Sequence, residues 1–250
     1  MFKPKPSHCI FGLAVVLALA PAGFLAPSQQ PNPQTPPRYE VRALHDPNGT
    51  GRFYMGREIA LVMGAEGMAW LDRPEREGEE RPDVVIDALK LRPGNVVADL
   101  GAGSGYFTFR MAKKVGVSGK VLAVDIQDAM LDAIRQRASQ RRITNVEEIK
   151  AGETDPHLPA ASVDLVLMVD VYHELAYPYE VMTRVREGLK PGGRVVFVEY
   201  RKEDPEVPIK EVHKMSVEQL EKEMEAVDLS LVRTIERLPT QHIVIFEKQN

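Results

Sequence analysis

From Asp83 to Lys248 short apolar runs alternate with amphipathic stretches, and that alternation constrains the fold more than any other feature of the chain. "VVADL", "KVLAVD", "SVDLVLMVD" and "GRVVFVEY" read as near-continuous apolar strands, and "VEEIK" as a weaker one. Strands of this kind are buried on both faces, which requires a mostly parallel sheet with helices on either side. "DVVIDALKL", the stretch after the glycines to about Val115, "QDAMLDAIRQRASQ" and "YPYEVMTRVREGL" supply the helices. In the last of these, Val181, Val185 and Leu189 recur at i, i+4 and i+8 and so share one face. Ser216 with Gln219 forms a capping box for "VEQLEKEMEAV". "LSLVRTIERL" and "QHIVIFEK" are joined by only "PT", too short for a crossover helix, so the last strand runs antiparallel. The expected architecture is α/β and doubly wound: a mostly parallel, seven-stranded sheet with an antiparallel last strand.

Ligands of such sheets bind outside the carboxyl ends of the strands. "DLGAGSGYF", residues 99–107, places a glycine turn at one of those ends. A dinucleotide fingerprint needs G-x-G-x-x-G, with the third glycine packing helix against strand. Here the glycines are Gly101, Gly103 and Gly105, and Tyr106 stands where that fingerprint wants glycine or alanine. Asp99 at the strand end is awkward beside a pyrophosphate but suits a ligand with an ammonium group and a sulfonium. S-adenosylmethionine carries both and no phosphate. Asp125 ends the second strand, where two carboxylate oxygens can accept from vicinal ribose hydroxyls.

"VVADLGAGSGYFT", "VLAVD", "LPAASVDLVLMVD" and "LKPGGRVVFVE", in this order, resemble the class I, Rossmann-like S-adenosylmethionine-dependent methyltransferases over residues 83–248. The resemblance implies S-adenosyl-L-methionine as cofactor and a small-molecule methyl acceptor. It places Asp99, Gly101, Ala102, Gly103 and Gly105 around the methionine half, Asp125 on the ribose, and Ile126 beside the adenine. Glu153 matches the acid that faces the adenine amine, although the family's usual residue is aspartate. "GETDPHLP" is also one residue longer than the common form, so Asp155 is the alternative. Asp170, ending the fourth strand, is placed near the transferred methyl.

The acceptor side should follow that strand, in "DVYHEL". No N-P-P-Y-like stretch marks a nitrogen acceptor there. A body without cysteine stands against arsenite, which that branch of the family holds with thiolates. An oxygen or carbon acceptor on a small or lipid-like molecule is expected. His173 is the candidate base, since an imidazole titrates near neutrality, and Tyr172 is the candidate for stacking on the substrate. Glu174 is read as orienting His173, Tyr200 and Arg201 as reaching an acidic or phenolic substrate, and Arg57, Trp70 and His213 as weaker candidates. His157 is expected on a surface loop and His242 away from the site. No metal-ligand spacing is evident, so no metal is expected. Two alternatives stand beside this reading: a binding or accessory protein that keeps the fold without catalysis, and a nicotinamide-dependent oxidoreductase.

At a net charge of −4 no strongly basic face is implied, and no nucleic-acid partner is expected. Lys3 and Lys5 precede an apolar run from Ile10 to Ala20, and Ala20-Pro21-Ala22 offers small residues at cleavage spacing. Residues 1–22 therefore read as an export signal, with a periplasmic or extracellular body, and Cys9 is the chain's single cysteine. An uncleaved segment would instead anchor the body at a membrane, and a mis-assigned start codon would leave it cytoplasmic. Residues 23–37, containing "PSQQPNPQTPP", read as a Pro/Gln-rich linker. Residues 38–82 read as a helical extension, one or two short helices broken at Gly64 and Gly67. Met55, Met63, Met68 and Trp70 there either pack on the main domain or form a lid. Residues 83–250 are the main domain.

Overall fold

The computed structural model describes residues 38–249 and the first three residues. Beyond those three, the expected export signal and the linker lie outside the described residues. Residues 38–249 belong to one compact unit.

The extension opens with strands. β1 (Tyr39–Val41), β2 (Gly49–Tyr54) and β3 (Arg57–Ala60) make a small antiparallel sheet. This corrects the helical expectation over "FYMGREIA". Tyr54 pairs with Arg57, so the loop is Met55-Gly56, with φ of 49° and 101°. Two positive φ values in a two-residue loop match the hairpin turn whose twist suits the flanking strands. A 3-10 turn (Ala65–Gly67) and two short helices, α1 (Met68–Leu71) and α2 (Arg76–Glu79), follow, and only here does the extension turn helical.

The main domain runs α3 (Pro82–Ala88), β4 (Val96–Leu100), α4 (Tyr106–Val115), β5 (Lys120–Asp125), α5 (Asp128–Arg141), β6 (Val146–Lys150), β7 (Val163–Val169), α6 (Pro178–Gly188), β8 (Leu189–Arg201), β9 (Lys214–Met215), α7 (Val217–Glu225), β10 (Leu229–Ile235) and β11 (Gln241–Lys248). Among the described residues the sheet order is β10-β11-β8-β7-β4-β5-β6, with the two-residue β9 on the end of β8. Pairing is parallel from β6 through β8, and β11 runs antiparallel to both its neighbours. The fold is thus the Rossmann-like one expected, with the antiparallel last strand.

Alternate residues of each strand point to opposite faces. Ala98, Leu122, Val166, Val195 and Val244 pack with α6 and α7, while Val97, Val121, Leu165, Val196 and Ile243 pack with α3 and α4. Both faces are therefore covered, and the functional groups are left to the strand ends.

At the start of α7, Ser216 Oγ accepts from the Gln219 N–H at 3.1 Å. The Gln219 side chain does not return to the cap. Its Nε2 donates to Glu223 Oε1 at 2.7 Å. One half of the expected capping box is therefore present.

Candidate active site

A cavity of about 530 Å³ opens at the carboxyl ends of β4, β5 and β7. The glycine turn forms one wall. Gly101 and Gly103 line it, with φ of 74° and 52°. A Cβ on Gly101 would stand 2.4 Å from Val171 Cγ2, and one on Gly103 2.8 Å from Leu71 Cδ1. Glycine is needed here both for the backbone and for the space. Ala102 and Gly105 do not line the cavity. The Ala102 N–H donates to the Val124 carbonyl at 3.0 Å, and Gly105 (φ 84°) leads into α4, so both shape the turn from behind.

Asp99 also sits behind the turn. It is buried, accepts from Thr108 Oγ1 at 2.6 Å, and burial pushes its pKa up to about 6. Asp125 lines the cavity. Its carboxylate accepts from the N–H groups of Gly103 and Gln127, both at 2.9 Å, which ties the turn to the end of β5. Burial raises its pKa, and those two N–H groups oppose the rise. Ile126 and Glu153 line the same wall, whereas Asp155 does not and instead accepts from the His157 N–H.

Asp170 directly follows β7, in the left-handed region, φ 54°. Its Oδ2 accepts from Gln241 Nε2 at 2.7 Å, while Oδ1 is buried with no partner among the described residues. Burial first, then the charges of Glu80 and Glu199, holds its carboxyl well above the usual range. A buried acceptor without a donor, on a cavity wall, is where a ligand's N–H belongs.

The 3-10 turn Tyr172–Glu174 divides its side chains between core and cavity. Tyr172 does not line the cavity. It is fully buried, its ring 5.0 Å from that of Phe197, and its hydroxyl donates to Glu223 at 2.5 Å. Its expected stacking on substrate gives way to a structural position. His173 and Glu174 do line the cavity. His173 Nδ1 lies 2.5 Å from Glu199 Oε2, and since a carboxylate only accepts, Nδ1 carries the proton. Nε2 faces His213 Nδ1 at 3.0 Å. Burial works against the His173 imidazolium, but the Glu199 charge and hydrogen bond, with Glu174 and Asp170, outweigh it and raise the pKa. Burial, His173 and Lys210 push His213 down to about 4, and burial pushes Glu174 up to about 7.

Of the other candidates, Trp70, Tyr200 and His213 line the cavity. Arg201 is turned away, donating to the carbonyls of Leu238, Pro239 and Gln241. Arg57 is buried in a two-bond pair with Glu223, at 2.7 and 3.0 Å, which fixes the β2–β3 hairpin to α7. His157 is exposed and His242 is buried within β11, as expected. The extension contributes more than packing: Leu61, Val62, Met63 and Leu71 join Trp70 in the wall. Asp72 fastens it to the glycine turn, accepting from Ser104 Oγ at 2.7 Å and from Arg137.

Sequence reasoning missed Arg76 and Glu80, a buried pair at 2.7 Å that also lines the cavity. Their i, i+4 spacing was the available signal.

A methyltransferase-domain family matches residues 91–244. The chain belongs to the class I S-adenosylmethionine-dependent methyltransferases. A solved S-adenosylmethionine-dependent methyltransferase from Aquifex aeolicus is 25% identical, with a TM-score of 0.70, over 74% of this chain and 99% of its own. The ubiquinone/menaquinone biosynthesis C-methyltransferase UbiE of Ectopseudomonas mendocina is 30% identical over 47% of this chain and 46% of its own length. An arsenite methyltransferase of Halobacterium salinarum is 33% identical over 55% and 40%. The chain spans less than half the length of these two curated relatives. The fold extends beyond methyl transfer: the [4+2]-cyclase SpnF shares it at 14% identity and a TM-score of 0.58.

S-adenosylmethionine is the cofactor that this family implies, and the site fits it. The glycine wall leaves no room for a Cβ, Asp125 offers lone pairs beyond the two N–H bonds it accepts, and Asp170 Oδ1 awaits a donor.

Proposed function

We propose that this methyltransferase methylates an oxygen or carbon of a small or lipid-like acceptor with an apolar body. The observation that carries the reading is one cavity bearing Asp125 and the glycine turn on one wall, and His173 and His213 on another. Asp125 takes the ribose hydroxyls, Ile126 and Glu153 the adenine, and the glycine turn with Asp99 behind it the methionine half. Asp170 lies beside the methyl, its free Oδ1 open to the ammonium. Leu61, Val62, Met63, Trp70 and Ile209 give the acceptor an apolar seat.

S-adenosylmethionine supplies a methyl carbon bound to a sulfonium. The residues hold the acceptor in line with it, and proximity accounts for much of the rate. Transfer would need the acceptor atom opposite the sulfur, whose bond to the methyl carbon would leave its electron pair on sulfur, and the two cavity walls would hold the partners in that line. The acceptor's proton passes to the His173–His213 pair, where Glu199 stabilises the imidazolium on His173.

The test is S-adenosylhomocysteine release with a panel of phenols, quinols and hydroxylated lipids. Acceptor-dependent release is expected, lowered about 100-fold by His173→Gln. A folded chain that binds the cofactor but releases nothing with any acceptor would point instead to an accessory protein with this fold. Export is supported by Lys3, Lys5 and the apolar run after them. A mature N terminus at Gly23 is expected, and an intact one in the cytosol would contradict export.

A further inference from the structure

We propose that His173, Glu174 and His213 form a binding site for a divalent transition-metal ion, on the acceptor side of the cavity. His173 Nε2 lies 3.0 Å from His213 Nδ1, and Glu174 Oε1 lies 4.0 and 3.9 Å from these two nitrogens. Three atoms with these separations fall on a circle of radius about 2.1 Å, the length of a zinc–nitrogen or zinc–oxygen bond. A single point is therefore at bonding distance from all three without any of them moving.

The surroundings match a metal site in three further ways. A ligating histidine usually donates its other N–H to a carboxylate, which fixes the tautomer and raises ligand basicity. Glu199, fully buried, does this for His173 Nδ1 at 2.5 Å, aiming Nε2 at the cluster. Glu199 itself is steadied by the Tyr172 N–H at 2.9 Å. Two carboxylates, Glu174 and Glu199, supply the negative charge that a buried dication requires. All three residues line the cavity, so an ion held between them would be reached from it.

The donor set selects the ion. Two imidazoles and one carboxylate suit zinc, iron(II), cobalt(II) or manganese(II) rather than calcium or magnesium, which take oxygen ligands. The open positions would take an oxygen donor of the acceptor, a phenolic or enolic hydroxyl, and the ion would lower that hydroxyl's proton affinity. A lone pair on a metal cannot also take a proton. With the ion bound, His173 acts as ligand, and the acceptor's proton leaves to solvent. The site does not depend on the cofactor, so it can fail or stand apart from the methyl-transfer reading.

The test titrates the chelator-stripped full-length chain with Co²⁺, followed by visible absorption, and with Zn²⁺ by calorimetry. One ion per chain is expected at low-micromolar or tighter affinity, with cobalt bands of an imidazole–carboxylate site. His213→Ala and Glu174→Gln should each weaken binding at least about tenfold, and Glu199→Gln by a similar factor. His157→Ala, on an exposed loop, should leave it unchanged. Cofactor affinity and circular dichroism, measured on the same variants, show that they are folded. A folded chain that binds S-adenosylmethionine but takes up neither ion, or that binds as tightly after His213→Ala, overturns the site. Uptake of the ion without cofactor binding overturns the proposed function and leaves the site standing.

Discussion

On the proposed cofactor side of the cavity the groups are mostly backbone and carboxylate, delivered by Gly101 and Gly103 after β4 and by Asp125 and Ile126 at the end of β5. On the proposed acceptor side they are side chains brought from Leu61–Leu71, His173–Glu174, Tyr200 and Ile209–His213. The first wall is held by bonds within one strand–helix–strand unit, β4–α4–β5, such as Gly103 N–H to Asp125. The second is held by long-range pairs, Arg57 to Glu223 and His173 to Glu199 and His213. One wall is thus completed within a single β4–α4–β5 unit, and the other exists only once distant parts of the chain are folded together.

The largest effect should come from breaking the long-range anchor. Arg57→Ala leaves buried Glu223 without its cation, with only the Tyr172 hydroxyl and the Gln219 amide as donors, and losing one partner of a buried pair costs about 3–5 kcal/mol. Denaturant unfolding should show that loss. Hydrogen exchange should rise first over 39–63, while the glycine turn stays protected. Equal deprotection of both walls would erase the distinction between them.

Asp99 offers the opposite sign. A carboxyl whose folded pKa stands above its unfolded value makes stability fall as pH rises from the unfolded pKa through the folded one. For Asp99 that window runs from the ordinary carboxylate range to about 6. Asp99→Asn should therefore stabilise the chain above pH 6, by roughly 2–3 kcal/mol, and flatten stability between pH 4 and 6. It should also weaken cofactor binding. Thermal unfolding at pH 4 and pH 7.5 checks the sign.

Asp125→Ala should weaken S-adenosylmethionine about 30-fold, roughly 2 kcal/mol, with the acceptor wall intact. Trp70→Ala removes a half-exposed ring from the acceptor wall only. Its effect should be the smallest: a rise in acceptor KM of about fivefold, near 1 kcal/mol, with cofactor affinity unchanged.

The same contrast explains what could be read from the sequence. The β4 turn, Asp125 and the order of strands are local patterns, and a short window contains each of them. The β2–β3 hairpin was not legible, because Met55 occupies a left-handed position usually given to asparagine, aspartate or glycine. Tyr172 and His173 are adjacent and looked equivalent. The 3-10 turn sends one into the core and the other to the cavity. His213 reaches His173 because β9 pairs with the end of β8, Lys214 against Tyr200. No spacing of 40 residues announces that contact.

Calorimetric titration of the full-length chain with S-adenosylmethionine, with NADH as control, tests the shared cavity most directly. The account predicts one site per chain at micromolar affinity, no heat with NADH, and binding greatly weakened in Asp125→Ala. A folded chain that gives no heat with S-adenosylmethionine, or that binds NADH in its place, would contradict it.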